Sequence, residues 1–219
     1  MKFLPISKLL LIAIFPFLIF LIGFNLAGFD SSFFKGKFSE YGISKKIPKA
    51  EFLHQSVMEF IKGSNDELPE QFNEREKEHL LDVKAIASVL MIILYSLAVL
   101  FLALLVASGF FLRINGSILN FTGKILVFGG ILAILLGGIL FVSIKSDFQT
   151  TFESFHKLFF EKDTYMFDPE SEIIVNLYPE EIFMDLGARI SQNVLAISLA
   201  SIFLGLLLLP KSKKNKKKK

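Results

Sequence analysis

Apolar residues along this chain gather into four long runs, from about Leu9 to Ala27, Ile86 to Leu112, Ile125 to Ile144 and Ala188 to Leu209, with charged stretches between them. The hydrocarbon core of a bilayer is about 30 Å thick, and a helix rising about 1.5 Å per residue needs about 20 apolar residues to cross it. Each run meets that length, so the pattern predicts an all-α polytopic membrane protein with four transmembrane helices. Residues 1–219 read as a single membrane domain. Lys2 and Lys8 ahead of the first run would also suit a cleaved signal peptide, but the run is longer than the usual apolar region of such a peptide and is taken as a retained anchor.

Between the runs the polar stretches carry their own periodicity. Phe52, Leu53, Val57, Phe60 and Ile61 recur at helical spacing within 50–62, and Gly63 to Pro69 breaks that helix. Asn73 followed three positions later by Glu76 is a variant of the capping box, so a helix starts there and meets no breaker before the second apolar run. His79 then sits seven residues, about 10 Å, ahead of Ile86. Phe148, Phe152, Phe155 and Phe159 form a helical aromatic stripe expected to lie along the membrane surface, with His156 inside it. Phe159-Phe160, Asp163-Thr-Tyr165 and the turn Asp168-Pro169 follow. Tyr178-Pro179-Glu180-Glu181 starts a further helix, proline in its first turn and acids complementing its dipole, which continues into the fourth run. In the third run, Gly129, Gly130, Gly137 and Gly138 are expected to put small surfaces on one side, where neighbouring helices approach closely.

Composition agrees with a membrane class: 53% of residues are hydrophobic, and the mean hydropathy of +0.56 lies above that of water-soluble domains. Charge sets the orientation. Lys2 and Lys8 precede the first run, Arg113 and Lys124 lie between the second and third, and seven lysines follow Leu209, with no acid in any of these segments. Residues 30–85 carry nine Lys/Arg against eleven Asp/Glu, and 145–187 carry three Lys against ten Asp/Glu. By the positive-inside rule both termini are cytoplasmic, and the loops 30–85 and 145–187 are extracytoplasmic helical regions. The tail 210–219 then meets anionic headgroups of the cytoplasmic leaflet rather than nucleic acid. The sequons Asn115-Gly-Ser117 and Asn120-Phe-Thr122 fall in the cytoplasmic turn and carry no glycan. The absence of cysteine excludes disulfides, a thiolate nucleophile, a cysteine metal cage and a lipid on a cysteine of this chain.

Candidate chemistry is sparse. Arg75, His79, Asp82 and Ile86 share one helix face, where a carboxylate beside the imidazole would fix its tautomer and favour its cation. A solvated face of charges is an equally good account of those residues alone. His156 belongs to the other loop, yet the four-span topology brings both histidines to one face of the membrane at similar depth. Such a pair suits proton transfer on a lipid-attached group. Two other classes fit the same residues. One is a metal hydrolase with Glu76, His79, Asp82 and His156 as ligands, since Glu-x-x-His turns both side chains to one face. The other is an adaptor that binds a partner protein through the charges of 62–84.

Phe72-Asn-Glu-Arg-Glu-Lys-Glu-His79-Leu-Leu-Asp82-Val83-Lys84 resembles one signature of the Lit family, the lipoprotein intramolecular transacylases. Phe155-His156-Lys-Leu-Phe159-Phe160, with Asp163-Thr-Tyr165, Asp168-Pro169, Tyr178-Pro179-Glu180 and Phe183, is similar to its second. With the span pattern, the likeness covers nearly the whole chain. It implies a four-span membrane enzyme that moves the sn-2 acyl chain of a diacylglyceryl-cysteine to that cysteine's α-amino group, without a cofactor. The implied catalytic residues are His79 and His156, and the implied partners are the diacylated lipoprotein N-terminus and membrane lipid; Arg75, Glu76, Asp82, Tyr165 and Asp168 are expected to support or orient the two histidines. Tyr165 stands where that family leads one to expect Trp, Leu80 where it leads one to expect Met, and the lysine tail is outside the signature.

Overall fold

The computed structural model describes residues 3–115, 118–160 and 164–210, and in it nine helices account for nearly all of the regular structure. Asp163, the lysines from 211 onward, residues 116 and 117 of the first sequon and the side chain of Arg113 lie outside the described residues. Helix α1 is Phe3–Gly28, α2 Ser31–Glu40, α3 Ile43–Lys46, α4 Ala50–Lys62, α5 Glu74–Asn115, α6 Ile118–Ser146, α7 Phe148–Phe159, α8 Ile173–Leu177 and α9 Glu180–Leu208. Four of these, α1, α5, α6 and α9, are long and apolar enough to cross a bilayer, and they hold the four runs predicted from sequence, α9 ending one residue short of Leu209.

Helix α5 is the longest. Its segment Glu74–Leu112 counts 39 residues, about 58 Å, close to twice the hydrocarbon thickness. Charges decide which part stays out: Glu74, Arg75, Glu76, Lys77, Glu78, Asp82 and Lys84 all precede Ile86. The crossing therefore begins near Ile86, and the first turns of the helix stand outside the hydrocarbon.

The chain divides into two compact units. One comprises the described residues of Met1–Phe20, Ser96–Gly137 and Val194–Lys219. Its helices meet through apolar side chains and very close backbone approaches. A Cβ on Gly123 would come within 2.8 Å of the Gly205 carbonyl oxygen, and a Cβ on Gly205 within 2.8 Å of that of Gly123. Ser7 and Ser108 share a hydrogen bond of 2.9 Å between their hydroxyls, and Phe15 stacks on Phe101.

Of the glycines of α6, Gly130 and Gly137 share one side, toward α9, as their spacing suggested, whereas Gly129 and Gly138 do not. Gly129 faces Phe15 of α1, Gly130 faces Ile202 and the Ser198 carbonyl, Gly137 faces Val194, and Gly138 has open space beyond it. Adjacent helix positions differ by about 100° around the axis, so the pair Gly129-Gly130 serves two neighbours, α1 and α9.

The second unit, Leu21–Tyr95 and Gly138–Asn193, holds the charged segments. Its core is built from Phe34 and Phe38 of α2, Leu53, Val57 and Phe60 of α4, Phe72, Leu80 of α5, Ile174 and Leu177 of α8 and Ile182 of α9. Helix α4 has the bounds expected from its apolar periodicity. Helices α2 and α3 occupy a stretch for which sequence predicted no element. Asp30 caps α2, its carboxylate accepting from the backbone N–H groups of Ser32 and Phe33, and Gly42 (φ 68°) and Lys49 (φ 86°) make the sharp left-handed corners around α3. Polar links fasten α2 to α9: Tyr41 donates to Asp185 at 2.5 Å, Lys37 pairs with Asp185 at 2.7 Å, and Arg189 pairs with Asp30 at 2.7 Å. Pro179 lies one residue before α9 instead of in its first turn, and its carbonyl accepts from the Ile182 N–H.

Candidate active site

Each functional side chain is placed by local helix chemistry. At the start of α5 the expected capping box forms: Asn73 Oδ1 accepts from the Glu76 N–H at 2.9 Å, and Glu76 Oε2 accepts from the Asn73 N–H at 2.7 Å. The second oxygen of Glu76 accepts from the Ile174 N–H at 2.7 Å, joining the origins of α5 and α8. Buried to 1% exposure, Glu76 thus spends its carboxylate on backbone donors. One turn further along, His79 points inward.

Helix α7 supplies the second imidazole. Asp147 caps it, and the inward face runs Phe148, Phe152, His156 at intervals of four. The aromatic stripe read from sequence is thereby divided. Phe152 packs on Phe183, whereas Phe155, Leu158 and Phe159 are turned outward and are 48%, 76% and 45% exposed.

His79 and His156 come together, each only 8% exposed. Their rings lie nearly parallel, 17° apart, with centroids separated by 6.5 Å. Phe160 contacts both, at 4.8 Å from His79 and 5.2 Å from His156. Phe167 closes over His79 at 5.2 Å, and Tyr165 lies against His156 at 4.8 Å.

Hydrogen bonding distinguishes the two imidazoles. His156 Nδ1 is 2.8 Å from the Phe152 carbonyl oxygen. A carbonyl only accepts, so Nδ1 carries the hydrogen, and in the neutral ring the lone pair is on Nε2. His79 Nδ1 is buried without a partner among the described residues. Both rings are held neutral. Burial pushes His79 down to about 4, with the neighbouring His156 and Arg75 adding to the effect. Burial also lowers His156, partly opposed by its bond to Phe152.

The expected supporting residues divide. Arg75 lies beside the pair but directs its guanidinium to both oxygens of Glu172 at 3.2 Å and to the Met166 carbonyl, over the Phe167 ring. Asp168 is a turn former: its carboxylate accepts from the Glu170 N–H and the Ser171 hydroxyl, which hold it below the usual carboxylate range. Asp82 is exposed and has no hydrogen bond to His79. With Glu76 committed to backbone N–H groups and Asp82 turned to solvent, Glu76, His79, Asp82 and His156 do not converge as a ligand set.

Sequence reasoning passed over Glu172, which is 5% exposed. It binds Arg75, accepts from the Asp168 N–H at 2.6 Å and from Asn73 Nδ2 at 3.5 Å, and so ties the segment bearing Tyr165 and Phe167 to α5. No local pattern marks it, because every side-chain partner is about 100 residues away.

Fold and site together define a helical, membrane-integral protein with a pair of buried neutral imidazoles near the ends of its apolar helices. Residues 9–183 match the model of the lipoprotein intramolecular transacylase Lit family, and the chain belongs to that family, whose members are acyltransferases. The same fold occurs in the membrane-integral lipoprotein intramolecular transacylase Lit from Bacillus cereus: the TM-score is 0.80 at 22% identity, over 94% of this chain and 95% of that one. Structures of that protein with a histidine changed to arginine or to alanine match with TM-scores of 0.75, again at 22% identity and 94% of this chain, covering 91% and 93% of theirs. Comparison with curated protein sequences gives no match.

Proposed function

We propose that this protein moves the sn-2 acyl chain of a lipoprotein's diacylglyceryl-cysteine onto the α-amino group of the same cysteine, giving the lyso form. The observation that carries this reading is the pair of buried, neutral imidazoles 6.5 Å apart, one of them with its tautomer fixed. The amine nitrogen attacks the ester carbonyl, the C–N bond forms, the C–O bond to glycerol breaks, and one proton passes from nitrogen to the glycerol oxygen. The substrate brings its own nucleophile, so neither serine nor cysteine is required. An α-amino group titrates near about 7.7–8.0, so the base has only a modest task.

His156 is the base in this scheme. Its Nε2 lone pair takes the amine proton while the Phe152 carbonyl holds Nδ1–H and steadies the imidazolium. His79 acts opposite it, a neutral ring whose N–H donates a hydrogen bond to the developing oxyanion, and the His156 imidazolium returns its proton to the departing glycerol oxygen. Arg75 and Glu172 position the segment carrying Tyr165 and Phe167, and Glu76 and Asp168 set the turns that bring it there. Exchanging an ester for an amide is downhill, so the reaction calls on no cofactor.

The membrane in question is the cell membrane, with both termini cytoplasmic and the site on the extracytoplasmic face, supported by the lysines and arginine flanking the cytoplasmic ends. A lipoprotein held by its acyl chains presents its ester where hydrocarbon meets water. The outward residues Phe155, Leu158 and Phe159 suit contact with the same lipid layer.

The test is expression in a host making diacylated lipoproteins, followed by mass spectrometry of the lipopeptide N-terminus. An internal shift conserves the mass and acylates the amine, whereas hydrolysis lowers the mass by one chain. A diacylglyceryl form with a free amine would overturn the proposal.

A further inference from the structure

His54 stands apart from the paired histidines. It projects from α4 into the core, 4% exposed, among the rings of Phe34, Phe38 and Tyr178. Its Nδ1 lies 2.9 Å from the Tyr178 hydroxyl, and its Nε2 is buried without a partner among the described residues. Hydrogen-bond accounting selects the tautomer. If Nδ1–H donated to the phenol oxygen, both the phenol hydrogen and the Nε2 lone pair would be left over. If the phenol donates to Nδ1, a single group is left, the Nε2–H. The second arrangement leaves fewer buried groups unsatisfied, so His54 presents one spare donor.

Beside it, between α2 and α4, is a cavity of about 320 Å³ lined by His54, Ser31, Lys35, Lys62, Glu51 and Glu59, among others. Among the described residues Lys62 has no ion pair, and its ammonium lies over the Phe29 ring at 5.2 Å. Lys35 meets Glu51 at 3.0 Å, a pair exposed enough to open at little cost. Glu59 accepts from Gln55 at 2.8 Å. Two ammonium groups, a hydroxyl and an imidazole N–H suit an oxyanion. The two carboxylates disfavour a dianion and favour a singly charged one, or one carrying its own ammonium group. Ser31 follows the end of α1 by three residues, so the cavity opens close to where a crossing helix ends.

The geometry points to a second ligand site: the cavity between α2 and α4 takes the phosphodiester headgroup of a phospholipid, with His54 Nε2–H as donor and Lys35 and Lys62 as counter-charges.

The experiment uses the full chain, purified in phosphate-free detergent and stripped of lipid, titrated with dihexanoyl phosphatidylethanolamine and followed by ³¹P NMR. Saturable broadening is expected, and Lys35→Gln combined with Lys62→Gln should weaken it by about tenfold, the scale of lost charge-assisted hydrogen bonds. His54→Phe should weaken it too, and if that variant fails to fold, the lysine pair alone carries the test. Competition by inorganic phosphate would trace the affinity to the phosphate itself, and its failure would trace it to the lipid headgroup; either supports the site. The lysine variant should convert lipoprotein at the wild-type rate, which keeps this outcome separate from that of the paired histidines. Absence of saturable binding, binding unchanged in the lysine variant, or full displacement by dihexanoylglycerol, which lacks phosphate, would overturn it.

Discussion

The two units of this protein are held together by different physics. In the unit containing Gly123 and Gly205, helices meet by shape: backbones approach until no Cβ fits, and the Ser7–Ser108 pair supplies a polar contact. In the unit containing the histidines, direction does the same work, through a capping box, buried Glu76 and Glu172 with donors on several elements, and ion pairs from α2 to α9. Lipid tails are as apolar as leucine, so helices in a membrane gain little from burying apolar surface and rely on close packing. A region facing water can exchange solvent for hydrogen bonds, which fix rotation as well as distance. The paired histidines lie where rotation is fixed.

The sharpest way to break this comparison is to remove the chemistry while leaving the packing. His79→Ala and His156→Ala should each reduce lipopeptide conversion by about a hundredfold or more, with thermal unfolding in detergent still cooperative. Full activity in either folded variant would show that the reaction takes place elsewhere.

Shape can be attacked at Gly205→Val. A Cβ there would lie 2.8 Å from the Gly123 carbonyl oxygen and 2.8 Å from Val127, so overpacking should cost about 3 kcal/mol, read as a fall in the unfolding midpoint. Glu172→Ala attacks direction. Breaking a fully buried ion pair costs about 3–5 kcal/mol, but Arg75 is 45% exposed, and water can replace part of what is lost. About 2 kcal/mol is expected, with a loss of conversion as Tyr165 and Phe167 loosen over the imidazoles. A stable variant with unchanged conversion would remove Glu172 from the positioning of the site.

Acid should act on one unit and spare the other. His54 and His79 are lowered by burial to about 4 from an ordinary 6.5, and His156 is lowered as well. Between about pH 6.5 and 4 the unfolded chain therefore binds protons that the native chain excludes. Stability rises with pH wherever the unfolded state holds more protons, so it should decline as pH falls through that window. Unfolding midpoints measured by circular dichroism from pH 7 to 5 should fall, and a flat series would mean the imidazoles are protonated without penalty. The smallest effect belongs to Ser7→Ala, at about 0.6 kcal/mol, and a much larger loss would mean that polar contact matters to the shape-packed unit after all.

How far each unit could be read from sequence follows the same division. The crossing helices were legible because a bilayer demands contiguous apolar runs, and α5 was legible through to its cap because Asn73 and Glu76 are local to one another. Helices α2 and α3 were not, since Lys35, Gly36 and Lys37 interrupt the phenylalanines and the corner at Lys49 takes a left-handed φ that its residue type does not announce. The histidines were found by residue type and by motif, but their distance, their tautomers and the Glu172 clasp depend on contacts across about 80 to 100 residues. The outward turn of Phe155 and Phe159 was missed because an evenly aromatic stripe conceals which of its members lies over the imidazole.

One consequence follows from the bond between His156 and the Phe152 carbonyl. Enzymes that orient a histidine with a carboxylate can be silenced at that partner by one codon change. Here the partner is main chain, common to every amino acid position 152 could carry. A mutational scan for a side-chain partner to His156 Nδ1 is therefore expected to find none at position 152.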